Sequence, residues 1–420
     1  MEAAPSSSTR RGFLHRNRVI LSLLLVAVLT ASAMTFNELR KQHNAAAYQR
    51  EVASFYKAPK GWAQRTQGTL LRSRRLYLDW FQGRAWRVLY TSRDYSGYPT
   101  VSSGLVFAPS EDGRGRPVVA FAHGTVGLGT NCAPSRQENP YQGSTWVQDM
   151  VQRGWVVTAT DYAGLGTGGT SSYLVGQDEA HDVWNSVVAA HSLPAGAGPR
   201  VAILGHSQGG HAALWSTILA KRYAPQYELV GTTALAPAAE LGSLVGQQWN
   251  GPVAWAIGPD VVDSWPAVYP LNLGNALTMQ GRRNWHRLAR SCISRVAVEA
   301  KFRSLVGQHF FSENPNGFPS WYDALKDQTP TGLPAAVPVL VAQGLRDDVV
   351  IPNTTELLVK NQCATGANLE ARWYPNANHL SVVKQSQQAF TNWIASRFRG
   401  ETARSNCGAP MPAVHQPEQP

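Results

Sequence analysis

Val201-Ala202-Ile203-Leu204 runs directly into Gly205-His206-Ser207-Gln208-Gly209-Gly210, and these ten residues decide the fold. Four apolar residues ahead of a glycine predict a strand buried on both faces. Behind it, Gln208 to Tyr223 reads as a helix. The serine between them sits on a sharp strand-to-helix turn, which strains its backbone and exposes its hydroxyl. Gly205 and Gly209 belong there because a Cβ at either place would clash inside the turn. A serine hydroxyl is a poor nucleophile without a base, so partners must be sought elsewhere in the chain.

Working outward, Pro117–His123, Trp155–Asp161, Leu229–Leu235, Pro338–Gln343 and Leu369–Tyr374 are further apolar runs of strand length. Trp86–Thr91 and Thr100–Ala108 alternate around the turn Tyr95-Ser96-Gly97, a hairpin signal. Asp178–His191 spaces its apolar residues by three and four, as a helix does. Strand and helix in alternation predict an α/β fold, a mostly parallel sheet with helices on both faces. Sites in such sheets lie at the carboxyl ends of strands. Residues 237–330 break the alternation and carry Trp249, Trp255, Trp265, Tyr269, Trp285, Phe310, Phe311, Phe318, Trp321 and Tyr322. We read them as an inserted helical cap over the site, most of the rings being packing.

The base and its orienter must come later in the chain, an acid first and then a histidine. Past the Pro338–Gln343 strand stand Asp347 and Asp348. Asp347 follows Gly344 by three residues, the usual spacing, and is preferred. His379, just after Leu369–Tyr374, is the last histidine before the tail, where only His415 follows. Catalytic candidates are therefore Ser207, Asp347 and His379. An oxyanion hole needs backbone N–H donors; Gln208, after the nucleophile, and Thr125, in the loop after His123-Gly124, are the candidates. His123, His206 and His211 have no metal-ligand spacing and are expected to support or pack.

The chain has 420 residues, 43% hydrophobic and 15% charged, which excludes a disordered protein and allows a large core. Net charge is +11; residues 1–33 supply +3 of it, four arginines against one glutamate. No zinc finger, RNP motif or long Lys/Arg tract supports a nucleic-acid role, and no motif calls for a cofactor or metal. Thr9-Arg10-Arg11-Gly12-Phe13-Leu14-His15 resembles a twin-arginine export signal, departing only at its last position. The apolar stretch Val19–Ala33 follows and ends in the small-x-small site Ala31-Ser32-Ala33. Residues 1–33 are thus an export signal or, uncleaved, an anchor. Residues 34–52 read as a spacer, 53–400 as the main domain and 401–420 as a Pro-rich tail. Cys132, Cys292, Cys363 and Cys407 lack C-x-x-C spacing; in an oxidising compartment they form two disulfides by one of three pairings.

Further motifs carry a family resemblance. Phe55-Tyr56-Lys57-Ala58-Pro59, Gly68-Thr69-Leu70-Leu71, His123-Gly124-Thr125-Val126-Gly127 and Cys132-Ala133-Pro134-Ser135 stand in the first half. Thr160 to Thr167, Tyr173-Leu174-Val175-Gly176, Gln343-Gly344-Leu345-Arg346-Asp347 and Cys363-Ala364-Thr365-Gly366 follow. Together, over residues 53–395, they are similar to the secretory lipase family, Candida lipase A-like members of the α/β-hydrolases. The resemblance implies the α/β-hydrolase fold, secreted hydrolysis of lipids or other acyl esters, and a helical lid. It also implies disulfides Cys132–Cys292 and Cys363–Cys407, and favours Asp347 over Asp348. Gln208 stands where some relatives have Gly, which matters little to a backbone donor. The expected partner is a lipid or acyl-ester substrate, with a lipid interface in view; the sequence is silent on oligomeric state. Two alternatives stand beside hydrolysis: an acyltransferase using the same triad, and a noncatalytic binding protein on the same fold.

Overall fold

Among the described residues nine strands form one sheet in the order β1-β2-β3-β5-β4-β6-β7-β8-β9. They are β1 (Leu70–Leu76), β2 (Arg84–Arg93), β3 (Pro99–Ala108), β4 (Arg116–Ala122), β5 (Val156–Thr160), β6 (Ala197–His206), β7 (Glu228–Leu235), β8 (Val339–Gly344) and β9 (Leu369–Tyr374). The structure, a computed structural model, describes residue 40 and residues 43–412. The export-signal reading of residues 1–33 lies outside the described residues. The chain divides into two units, Met1–Ser54 and Phe55–Pro420. Residues 43–52 of the first are helical; the sheet belongs to the second.

β1, β2, β3 and β5 pair antiparallel, and the six strands from β5 through β4 to β9 run parallel. The expected hairpin is present, with Arg93 opposite Pro99 across its closed end. The continuous apolar runs are explained by cover on both sides. In β4, Val119 and Phe121 join one core, which includes α1 (Thr145–Gln152) and α11 (Ser381–Phe398). Val118, Ala120 and Ala122 join the other, which includes α2 (Gly176–Ala190) and α3 (Gln208–Tyr223). Successive strand residues face opposite sides, so both sets must be apolar. Fully buried Phe107 and Phe390 each contribute about 1.5–3 kcal/mol by leaving water.

Between β7 and β8 the chain leaves the sheet for α4 (Leu241–Gln248), α5 (Pro252–Ser264), α6 (Leu273–Ala276), α7 (Met279–Ala289), α8 (Ile293–Leu305) and α9 (Pro319–Asp327). This helical cap has its own core around Trp255, Phe310, Phe311 and Trp321. Trp265 is also buried, whereas Tyr322 is exposed. The cap is bolted to the loop after β4. Cys132–Cys292 crosses between them. Leu128 N donates to Ala289 O, and Ile293 N to Val126 O. Gly127 is needed for that approach, since a Cβ there would lie 2.2 Å from Ser291 O, at φ 87°. The second disulfide, Cys363–Cys407, joins α10 (Pro352–Ala364) to the tail. Both pairings are those the resemblance implies. The tail also covers the edge of β9: Asn406 N donates to Leu369 O, and its side chain exchanges hydrogen bonds with Ala371 N and O.

Candidate active site

Ser207 takes φ 58° and ψ −118° between β6 and α3, a region that costs a non-glycine residue about 1–3 kcal/mol. The glycines make the turn possible. A Cβ on Gly209 would lie 1.8 Å from Ala122 O, and one on Gly205 1.8 Å from Gly209 O. His379 follows β9 and Asp347 follows β8, so three strand ends deliver three side chains to one place. His379 Nε2 lies 2.9 Å from Ser207 Oγ, and His379 Nδ1 lies 2.9 Å from Asp347 Oδ2. A carboxylate can only accept, so Nδ1 carries the proton and Nε2 presents its lone pair to the serine hydroxyl. All three residues are buried, with Ser207 and His379 each 8% exposed. Asp348, the competing acid, is exposed.

Asp347 is held by four donors. Its Oδ1 accepts from Val349 N and Val350 N, and its Oδ2 from Gln343 Nε2 as well as His379. Gln343 is itself fixed by Thr355 Oγ1, which donates to its Oε1. His206 donates from Nε2 to the backbone oxygen of His379 at 2.8 Å. Burial, then neighbouring His379, pushes His206 down to about 3; it stays a neutral donor when His379 gains a proton.

Two buried carboxylates support the loops around the serine. Glu179 accepts from Leu174 N and Gln208 Nε2, and its other oxygen pairs with His211 Nδ1. Asp161 accepts from Ser135 N, and from the hydroxyls of Ser103 and Ser135. His123 Nδ1 donates to Gly124 O. Sequence reading places His123, His206 and His211 in support; it does not single out Glu179, Asp161 or Gln343. Glu179 lies on the α2 stripe predicted as helix, and an acid on a buried face was the available signal.

Gln208 begins α3, whose first N–H groups have no partner within the helix. Thr125 shares a hydrogen bond between its hydroxyl and that of Tyr173, 2.6 Å apart. Both residues, with Ser207, border a cavity of about 110 Å³. The rest of its wall is nearly all apolar and comes largely from the cap, with Leu241, Leu244, Ile257, Val261, Trp321 and Leu325 among the lining. Such a wall suits an apolar group. Among the described residues no cluster of three or more His, Cys, Asp or Glu side chains is arranged to hold a metal ion.

The parallel sheet, the strand-turn-helix carrying Ser207 and the cap between β7 and β8 define an α/β-hydrolase. Within that class the chain belongs to the secretory lipase family, whose model matches residues 142–406. It is 24% identical over 427 residues to a secreted triacylglycerol lipase (LIP2) of Malassezia globosa, covering 93% of this chain and 88% of the relative. A probable inactive lipase of Mycobacterium tuberculosis is 25% identical over 373 residues, covering 83% and 82%. Among solved structures, Candida antarctica lipase A superposes with a TM-score of 0.70 at 20% identity, over 86% of this chain and 88% of that one.

Proposed function

We propose that the protein is an exported carboxylic-ester hydrolase, a lipase or esterase, working through an acyl-enzyme on Ser207. The acyl chain lies in the apolar cavity beneath the cap. Ser207 Oγ attacks the ester carbonyl carbon while His379 Nε2 takes the hydroxyl proton. Asp347 keeps Nδ1 protonated and stabilises the imidazolium. The carbonyl oxygen becomes an oxyanion facing the N–H groups of Gln208 and Thr125. As the intermediate collapses, His379 returns the proton to the departing alcohol. Water then attacks the acyl-enzyme, its proton taken by His379, and the acid leaves as Ser207 regains its hydrogen.

The observation that carries this reading is the chain of two 2.9 Å contacts from Ser207 through His379 to Asp347, with Ser207 in the lining of an apolar cavity. Export is supported by the sequence of residues 9–33 and by two disulfides. The test is an active-site phosphonate probe. It labels Ser207 in the folded protein and leaves Ser207→Ala unlabelled. A second, noncatalytic reading is kept in view by the relative described as probably inactive. Folded protein that ignores the probe and hydrolyses no ester decides for it. Product analysis with glycerol or a sugar as acceptor separates hydrolysis from transfer: transfer outpacing hydrolysis in water makes the protein an acyltransferase.

A further inference from the structure

Helix α8 is apolar on two opposite faces. Val296 and Ala300, 3% and 2% exposed, pack inward into the cap. Val298, Phe302, Leu305 and Val306 point the other way and are 74%, 64%, 77% and 52% exposed. At 100° per residue Val298, Phe302 and Leu305 fall within a single arc of about 60°, and Val306 follows at the residue after the helix ends. Exposed apolar side chains scattered singly need no explanation, but a contiguous stripe marks an interaction surface.

The charges beside the stripe say what covers it. On the helical wheel Arg295 flanks one side and Lys301 the other, and both are exposed. Residues 279–308, which comprise α7 and α8, carry seven Lys and Arg against the single acid Glu299. Glu299 is already engaged by Arg287 and Arg303. The face therefore presents hydrocarbon flanked by two exposed cations, Arg295 and Lys301. A second copy of this chain meeting it by two-fold symmetry would bring Arg295 and Lys301 of one copy towards the same cations of the other. An anionic lipid surface meets both features at once, taking the apolar stripe among its acyl chains and pairing its headgroups with the cations.

We propose that the outward face of α8 is a docking surface for an anionic lipid layer. This extends the ester-hydrolase reading by naming the surface from which acyl substrate is taken. The face is joined to the site. Ile293, at the start of α8, donates to Val126 O, and Cys292 is bridged to Cys132, so the docked helix anchors the loop bearing Thr125. None of the stripe residues lines the acyl cavity, which allows docking and chemistry to be separated.

The experiment is sedimentation of the full chain with vesicles of ether-linked phosphatidylglycerol, which offers no ester to hydrolyse, or of ether-linked phosphatidylcholine. The wild type binds phosphatidylglycerol in preference. The variant V298S/F302Q/L305Q loses at least about 10-fold in partition. R295E/K301E loses roughly 20-fold or more on phosphatidylglycerol and little on phosphatidylcholine. Thermal melting of each variant matches the wild type, and hydrolysis of a dissolved short-chain ester is measured alongside. Unchanged vesicle binding by the stripe variant overturns the proposal. So does equal affinity of the wild type for both lipids, or a wild-type dimer that the stripe variant converts to monomer. If no form hydrolyses the dissolved ester, the Ser207 mechanism fails while the vesicle result stands on its own.

Discussion

Asp347→Asn exchanges one carboxylate oxygen for an amide NH2 in a site where every neighbour is a donor. Val349 N and Val350 N both donate at 2.9 Å to Oδ1. They are backbone groups and cannot turn away, so the amide oxygen must stay there. The NH2 then takes the place of Oδ2, facing His379 Nδ1 and Gln343 Nε2. Gln343 can turn its amide only by breaking its bond with Thr355. His379 meets the new donor by moving its proton from Nδ1 to Nε2. It then points an N–H at Ser207 Oγ and can no longer take the hydroxyl proton. In serine proteases this tautomer error costs about 10⁴ in kcat, which is roughly 5 kcal/mol of transition-state stabilisation. The assay is kcat and KM on a dissolved 4-nitrophenyl ester, with thermal melting to verify folding. KM stays close to the wild-type value because Asp347 does not line the cavity. Asp348→Asn, at an exposed residue, stays within about twofold. An Asp347→Asn enzyme retaining a tenth or more of kcat, or a crippled Asp348→Asn, refutes the reasoning.

Ser207→Ala lowers kcat by about 10⁴–10⁶, because the triad acts as a unit; single-turnover product release reads it, and a smaller loss points to another nucleophile. Replacing both Cys132 and Cys292 by Ser opens a link spanning 160 residues. It costs about 2–5 kcal/mol in urea unfolding, and an unchanged midpoint contradicts the bolted-cap picture. Asp182 is pushed up to about 7, chiefly by burial, with Asp178 and Glu179 adding to the effect. Its folded value exceeds the unfolded one, so the folded state holds a proton that the unfolded state gives up between about pH 4 and 7, and stability falls as pH rises through that window. Asp182→Asn removes this loss, so its melting-temperature advantage over wild type grows from pH 5 to pH 8; a pH-independent difference would falsify the assignment.

What could be read in the sequence followed from how each element is buried. The parallel strands are covered on both faces, so each is a continuous apolar run. Leu369–Tyr374 and the helix Gln208–Tyr223 have the ends expected, and the other strands differ by a few residues. β1 escaped notice because Leu70–Leu76 carries three arginines at the sheet edge, where only half-burial is asked of it. α10 and α11 hide for the opposite reason. They bury Thr354, Thr355, Gln362, Thr391 and Arg397, which blurs the apolar stripe. At the site, chain order and strand ends single out Ser207, Asp347 and His379 as candidates, and the structure brings those three together. Gln343 and Glu179 could not be found in that way. Their significance lies in partners such as Asp347, Gln208 and His211, and adjacency of that kind exists only once the sheet has formed.

Strained backbone near the site gives one of its buried carboxylates, Glu179, a task. Besides Ser207, four described non-glycine residues have positive φ: Tyr141, Tyr162, Leu174 and Ala236. The backbone N–H groups of Ser207 and three of these are held by acceptors elsewhere. Leu174 N donates to Glu179 Oε1, Tyr162 N to Thr160 Oγ1, Ser207 N to Leu235 O, and Ala236 N to Ala342 O. A strained backbone persists only where its surroundings over-determine it. Burying Glu179 and Asp161 costs desolvation that an apolar pair would avoid. An apolar pair, however, could not hold Leu174 N, the Gln208 side chain and Ser135 N in place at once. The carboxylates are therefore better understood as fixing the segments around a cavity lined by Thr125, Ser207 and Gln208 than as contributors to overall stability.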